Sequence, residues 1–257
     1  MALEDIGDIS EIQNYYMESE GNRQKYMDSY YRNDEGVVPI YSKESVSILK
    51  SATHTTLHVN YFKDIVNRKV GYMGQDIEYS VSSQDETLKE KIAEFQKSTN
   101  QKVNNSSSLA KTTVQGISHR LCYTEDGVFK VKNIEGSQVV YDYDNDIFNP
   151  SMAYYFYSLT SLEGDTIDYC DVYDRENVYY YATDSGEKEG KSSAQEGEGG
   201  GDYTPLLVNG VTQQPHNFNQ VPIIPFINND DHKAYLVATT KLSDVWAKVK
   251  SIFNKGE

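Results

Sequence analysis

Three of the chain's six prolines fall between Pro215 and Asn229, and that stretch limits the fold more than any other. Each of Pro215, Pro222 and Pro225 fixes φ and removes a backbone donor, so the segment cannot run inside a helix or a fully paired central strand. Between them lie Val221, Ile223, Ile224, Phe226 and Ile227, which are too apolar for an open loop. The expectation is a rigid, extended, half-buried edge strand ending at Asn228-Asn229, a pair suited to turns and to left-handed backbone. From these physical signals alone a plain proline-rich connector reads equally well.

At 257 residues the chain can bury a substantial core in one or two domains. Hydrophobic residues make up only 38%, and 22 tyrosines supply amphipathic bulk in their place. A tyrosine buries its ring while the hydroxyl keeps a hydrogen bond, which suits half-exposed strands and subunit contacts. No apolar run approaches the roughly 18 residues of a membrane span, and the start, Met1-Ala2-Leu3-Glu4-Asp5, lacks a basic leader. A soluble, unexported protein with no membrane partner is expected. Cys122 and Cys170 form no disulfide or metal framework and read as buried free thiols. The net charge of -15, from 39 acidic and 24 basic residues, argues against gripping nucleic acid with a basic patch. It leaves room for a protein that surrounds DNA and lets it pass.

The pattern along the chain predicts an α+β fold: N-terminal amphipathic helices, then an antiparallel β-rich region, then the start of a long helix. Ile9, Ile12, Tyr16, Tyr26, Met27, Tyr30 and Tyr31 recur at helical spacing until Asn33-Asp34-Glu35-Gly36. A short extended piece follows at Val37 to Tyr41. A second helix carries Leu57, Tyr61, Ile65 and Lys69 along one edge with Phe62, Val66 and Val70 beside them, and Gly71 is expected to stop it. A turn then leads to a strand, Ile77 to Val81. Asp85 to Ser98 reads as a third helix with Leu88, Ile92 and Phe95 inward, and a fourth runs from Ser108 to His119 with N-caps at Asn104 to Ser107. From there the period changes to two. Ile117 to Tyr123 and Val128 to Ile134 flank the hairpin turn Glu125-Asp126-Gly127, and strands follow at Gln138 to Tyr143, Met152 to Leu159, Ile167 to Tyr173 and Asn177 to Ala182. Alternation in Tyr169, Asp171 and Tyr173 suggests one wet and one packed face. Asp184 to Asp202, with six glycines and six acids, is expected to be a mobile excursion between two strands. Leu242, Val245, Trp246, Val249, Ile252 and Phe253 form the stripe of a last amphipathic helix, which packs on its own domain or on a neighbouring subunit. The division is thus a body over 1–235 and a helical segment over 236–257.

Motifs with chemistry are few. His54 and His58 stand four apart, but Thr55 occupies the place where a zinc-protease helix needs glutamate. Asp142, Asp144 and Asp146 resemble the opening of a calcium loop, yet Ile147 and Ala153 stand where glycine and glutamate are required, so a turn is expected. No phosphate loop, nucleophile elbow or metal spacing occurs, and the expectation is a non-catalytic protein without cofactor.

Four segments, in order, resemble the tailed-phage portal proteins of the siphophage type. They are Asn22 to Tyr31, ending in a tyrosine pair; Val59 to Gly74, with Asn60-Tyr61 at its head and Gly71-Tyr72-Met73-Gly74 at its end; Gly116 with Cys122 to Gly127; and Pro215-His216-Asn217-Phe218 with Val221-Pro222, Phe226 and Asn228-Asn229. The resemblance implies a ring of identical subunits, typically twelve, at one capsid vertex. Capsid protein, terminase and head–tail adaptor are its implied partners, and DNA passes without sequence-specific binding. It implies a virion protein, held in the host cytoplasm before assembly, and a wing-like body, with Leu242, Val245, Trp246, Val249 and Phe253 at the start of a channel-lining stem and available as a subunit contact. A family member would continue past Glu257 through stem, clip and crown, so the expectation is a truncated or decayed prophage gene, a short variant, or one product of a split gene. A prophage-derived subunit that acts as an interaction module or poisons ring closure is the alternative.

Overall fold

A computed structural model of the chain describes residues 8–34, 60–74, 85–143, 149–162, 164–183 and 202–228. The fold is α+β. Helices α1 (Ile9–Tyr16) and α2 (Asn22–Arg32) are joined without a break by a π-helical turn, Met17–Gly21, and α3 (Tyr61–Met73), α4 (Glu86–Ser98) and α5 (Gln101–Gln115) follow. Asp8, Asn60 and Asp85 each accept backbone N–H bonds in the first turn of α1, α3 and α4, satisfying donors that the helix itself cannot. Asn33, in left-handed backbone, ends α2 where the sequence places the stop.

Among the described residues, nine strands make two sheets. Strands β1 (Ile117–Glu125), β2 (Val128–Glu135) and β9 (Ile223–Ile227) form the first, in the order β2-β1-β9. The second runs β3 (Val139–Asp142), β4 (Met152–Thr160), β5 (Thr166–Tyr173), β6 (Asn177–Thr183) and β7 (Tyr203–Pro205), with β8 (Gln213–Pro215) also on β6. All pairings are antiparallel. Asp126 and Gly127, both at positive φ, close the β1–β2 hairpin, a turn whose twist matches its strands.

The layers follow from side-chain alternation. Val140, Tyr154, Phe156, Cys170, Val172, Tyr179 and Tyr181 point one way and pack with Ile9, Ile12 and Tyr16 of α1. Val139, Tyr141, Ala153, Tyr155, Tyr173 and Val178 point the other way and pack on Leu121, Ile134 and Ile223 of the smaller sheet and on Val221 just before β9. The opposite face of β1, carrying Ser118 and Arg120, meets α5, and α2, α3 and α4 lie against α5. Contacts thus run from α1 through the large and small sheets to α5 and α3, and α2, the continuation of α1, packs on α5 and α3 as well.

The proline-rich stretch is extended and does sit at sheet edges, but as two strands rather than one. Pro215 ends β8 on the large sheet and β9 lies on the small one, with residues 216–222 strapping the sheets together. Register fixes the proline positions. Pairing alternates so that residues 222, 224, 226 and 228 face β1, while Pro225 faces away from it. Pro215 and Pro205 likewise face away from β6. At each site the missing N–H lies where β1 or β6 would not use it.

Four expectations need correction. Gly71 does not stop α3: the helix, which begins at Tyr61, runs to Met73, and Gly74 N–H still bonds the Val70 carbonyl at 2.8 Å. Tertiary packing overrides the roughly 1 kcal/mol that glycine costs there. Helix α5 begins at Gln101, not Ser108, and ends before Gly116, so Asn104 to Ser107 lie inside it. Leu88 is exposed rather than inward. Strand β5 has no freely wet face, because Asp171 is half-buried between its register neighbours, Tyr155 of β4 and Tyr180 of β6. The expectations for Val37 to Tyr41, His54 and His58, Ile77 to Val81, Asp144 and Asp146, and residues 184–201 and 229–257 lie outside the described residues.

Candidate functional site

The segments singled out in the sequence converge on one packed unit. Asn60 caps α3 through Lys63 N–H (2.9 Å) and donates to the Tyr30 carbonyl (2.8 Å). Tyr31 donates to Asn67 at 2.7 Å, and Phe62 meets Tyr30 edge-on. The tyrosine pair of α2 is therefore locked to the helix opened by Asn60. At the other end of α3, Ser106 of α5 donates to the Gly74 carbonyl at 2.9 Å. Lys69 donates to the Asn228 side chain at 2.9 Å, while Asn228 N–H bonds the Gly116 carbonyl. Phe226 lies under the Arg120 guanidinium, 5.0 Å from it, and Arg120 also donates to Asn133, to the Asn105 side chain and to the Asn104 carbonyl.

The strap is organised by His216. Its Nε2 lies 3.0 Å from the Asp174 carbonyl, which can only accept, so the proton sits on Nε2. Nδ1 then accepts from Phe218 N–H at 3.3 Å. Rings continue the link: Tyr173, His216, Phe218, Phe129 and Phe95 follow one another at centroid spacings of 6.4, 5.8, 5.9 and 5.1 Å. Pro215-His216-Asn217-Phe218 is thus a clamp running from the large sheet to α4. Asn217 takes positive φ to turn it, and Val221 and Pro222 bury the next segment, where the Pro222 carbonyl accepts from Cys122 N–H.

Behind the clamp is a second hub. Gly136 N–H bonds Gln115 at 2.6 Å, and the Gly136 carbonyl accepts from Tyr16 (2.8 Å) and His119 Nε2 (3.2 Å). Tyr141 donates to His119 Nδ1 at 3.0 Å. Burial without a counter-charge holds the His119 pKa down at about 4, so the ring is neutral at pH 7.

Tyr61, Ile65, Tyr72 and Met73 point outward instead. Between α3, α5 and β9 lies a groove of about 490 Å³ lined by Lys69, Met73, Leu109, Arg120, Phe226 and Ile227. Sequence reasoning missed Arg120, Gly136 and His119 as organisers. The available signal for Arg120 was its alternation with Ser118 on one face of β1.

Asp171 is the described carboxyl most relevant to catalysis, since burial pushes it up to about 7 against the lowering effect of Lys132 and Tyr157. Tyr155, Tyr180, Tyr157 and Lys132 surround it, and these form no nucleophile–base pair. Burial also raises both thiols, which makes them poor nucleophiles. Among the described residues no group of three His, Cys, Asp or Glu could hold a metal, and no helix is long and apolar enough to cross a membrane. The arrangement can hold sheets together and present surfaces. The family model for phage portal proteins, SPP1 Gp6-like, matches residues 11–255. No curated protein matches the chain.

Proposed function

This chain belongs to the phage portal protein family, SPP1 Gp6-like, and from that premise we propose that it is a structural, non-catalytic subunit of the ring through which DNA is packaged and ejected. The family implies a homo-oligomeric ring at the capsid vertex. The match over residues 11–255 is the observation that carries the reading. The clamp and the α2–α3 lock support it, since a subunit under load needs rigid joints more than a pocket. In this reading residues 1–235 form the wing-like body and 236–257 lead into a stem, with Leu242, Val245, Trp246, Val249 and Phe253 at a subunit contact. Terminase, capsid protein and head–tail adaptor are the proposed partners. The acidic balance suits passage, because like charge repels the phosphates of the DNA it surrounds.

Light scattering behind a sizing column, with electron microscopy of the peak, tests the proposal. A species many times 29.2 kDa with ring-shaped particles is the expected result. A monomer at every concentration, with portal partners added, refutes it.

A further inference from the structure

We propose that residues 242–253 dock in cis, laying their apolar stripe into the groove between α3, α5 and β9 of the same chain before any ring forms. The polar groups that line this groove are already engaged. Lys69 donates to Asn228, Arg120 donates to Asn133 and Asn105, and Ser108 and Thr112 bond Ser118. What the groove offers an occupant is therefore its apolar surface, Met73, Leu109, Phe226 and Ile227. Met73, Phe226 and Ile227 are 53%, 37% and 45% exposed, and the volume of about 490 Å³ leaves room for more than one large side chain. Met73 and Lys69 share one i, i+4 ridge with Ile65 and Tyr61, both exposed, so a wall that is apolar but for the Lys69 ammonium continues up α3. A continuous apolar surface of this kind marks a contact rather than scattered solvent-facing residues.

The path of the chain selects the occupant. Asn228 lines the groove and is the last of the described residues, so the sequence from 229 onward leaves from the groove's own rim. That sequence carries Leu242, Val245, Trp246, Val249, Ile252 and Phe253 at spacings of three, one, three, three and one, the single face of an amphipathic helix. Anchors at this spacing are what a helix lays into an apolar groove. Lengths agree as well: as a helix the stripe measures about 17 Å, and the Tyr61–Met73 ridge about 18 Å. Residues 229–241 reach about 45 Å when extended, ample to turn back to the rim they leave. Tethering also presents the stripe at an effective concentration in the millimolar range, ahead of a free partner with the same chemistry. The family match runs to residue 255, so body and stripe belong to one matched unit. The stripe assigned above to a subunit contact is thus held by its own chain until a neighbouring subunit takes it over. Docking is a property of the single chain, and only its release depends on the ring reading.

Trp246 is the chain's only tryptophan, so fluorescence of the full-length protein reports the stripe directly. Wild type should show blue-shifted emission, shielded from acrylamide and unchanged over a dilution series. Met73→Asp with Ile227→Asp, both at exposed positions and checked by circular dichroism, should shift the emission to that of the urea-unfolded chain and raise acrylamide quenching several-fold. Leu159→Asp, exposed on the β4–β5 hairpin outside the groove, should change neither. A nitroxide on Met73→Cys, in a Cys122→Ser background, should quench Trp246, and the same label on Leu159→Cys should not. A wild-type Trp246 as exposed as in urea overturns the proposal, and so does one that stays shielded in the double variant or escapes the Met73→Cys label. Shielding that fades on dilution gives the groove to a second copy and overturns it too. Docking in a chain that never assembles upholds the groove and defeats the ring reading, so the two fail separately.

Discussion

Replacing Asp171 by asparagine should expose an acid sensitivity that the native chain conceals. His119 titrates near 6.5 when unfolded and at about 4 in the fold, so between these values the unfolded state binds the extra proton. Its stabilising effect is complete above pH 6.5 and is lost as pH falls through 4, roughly 3 kcal/mol between pH 7 and 4. Asp171 runs the other way. Its carboxyl rises from 3.8 to about 7 on folding, so the native state holds the proton more tightly and gains stability as pH falls. Over the same interval that gain is also about 3 kcal/mol. The two sites sit on the two sheets, and their contributions nearly cancel in the native chain. Asp171→Asn keeps the shape of the protonated acid and removes its titration. Urea melts followed by circular dichroism, at fixed protein concentration and at intervals from pH 7 to 4, measure the difference. The variant should lose about 3 kcal/mol more than wild type across that range, and His119→Gln should instead gain on wild type as pH falls. Parallel wild-type and Asp171→Asn curves would refute the reasoning.

Other perturbations follow from contacts already described. A Cβ at Gly136 would stand 2.7 Å from the Ile117 carbonyl and 2.8 Å from the Ile117 side chain, so Gly136→Ala should cost about 1–3 kcal/mol in a urea melt. Phe218→Ala removes the middle ring of the clamp and should destabilise by about 2 kcal/mol, with exchange protection lost first in β8 and β9. Pro225→Val adds a donor to the outer edge of β9; stability should change by less than about 0.5 kcal/mol while aggregation at high concentration, read by turbidity, accelerates.

Strands β1 to β6 were legible because their alternation and turns are local. Asp126-Gly127 sets the β1–β2 hairpin, and the tyrosine-rich runs from Met152 to Thr183 place the large sheet within a residue or two. Helix α5 was half hidden because its buried stripe is polar: Gln101, Asn105, Ser108, Thr112 and Gln115 recur at helical spacing and face inward. A search for apolar periodicity passes over such a stripe. Its partners, Ser118, Arg120 and Gly136, come from later in the chain, so the hydrogen bonds that make burial tolerable are invisible locally. The proline stretch was read correctly as edge-forming, but its division between two sheets depends on β6 and β1 lying side by side. Nothing within Pro215 to Asn229 states that. The paired acid-sensitive and acid-strengthened groups were equally hidden, since burial of His119 and Asp171 is a tertiary property.

The polar seam beneath α5 has a thermodynamic consequence. Lifting a helix off an apolar sheet exposes hydrocarbon and carries a large heat-capacity signature, whereas separating Ser108 and Thr112 from Ser118 exposes groups whose hydration lowers heat capacity. Partial opening of this layer would therefore leave little mark on a calorimetric baseline or on denaturant sensitivity. Amide exchange would still register it, with α5 and its neighbour α3 opening at lower free energy than the strands sealed by Val140, Tyr154 and Val172. The outer helical layer can thus adjust its position while the tyrosine-rich sheet behind it keeps its shape.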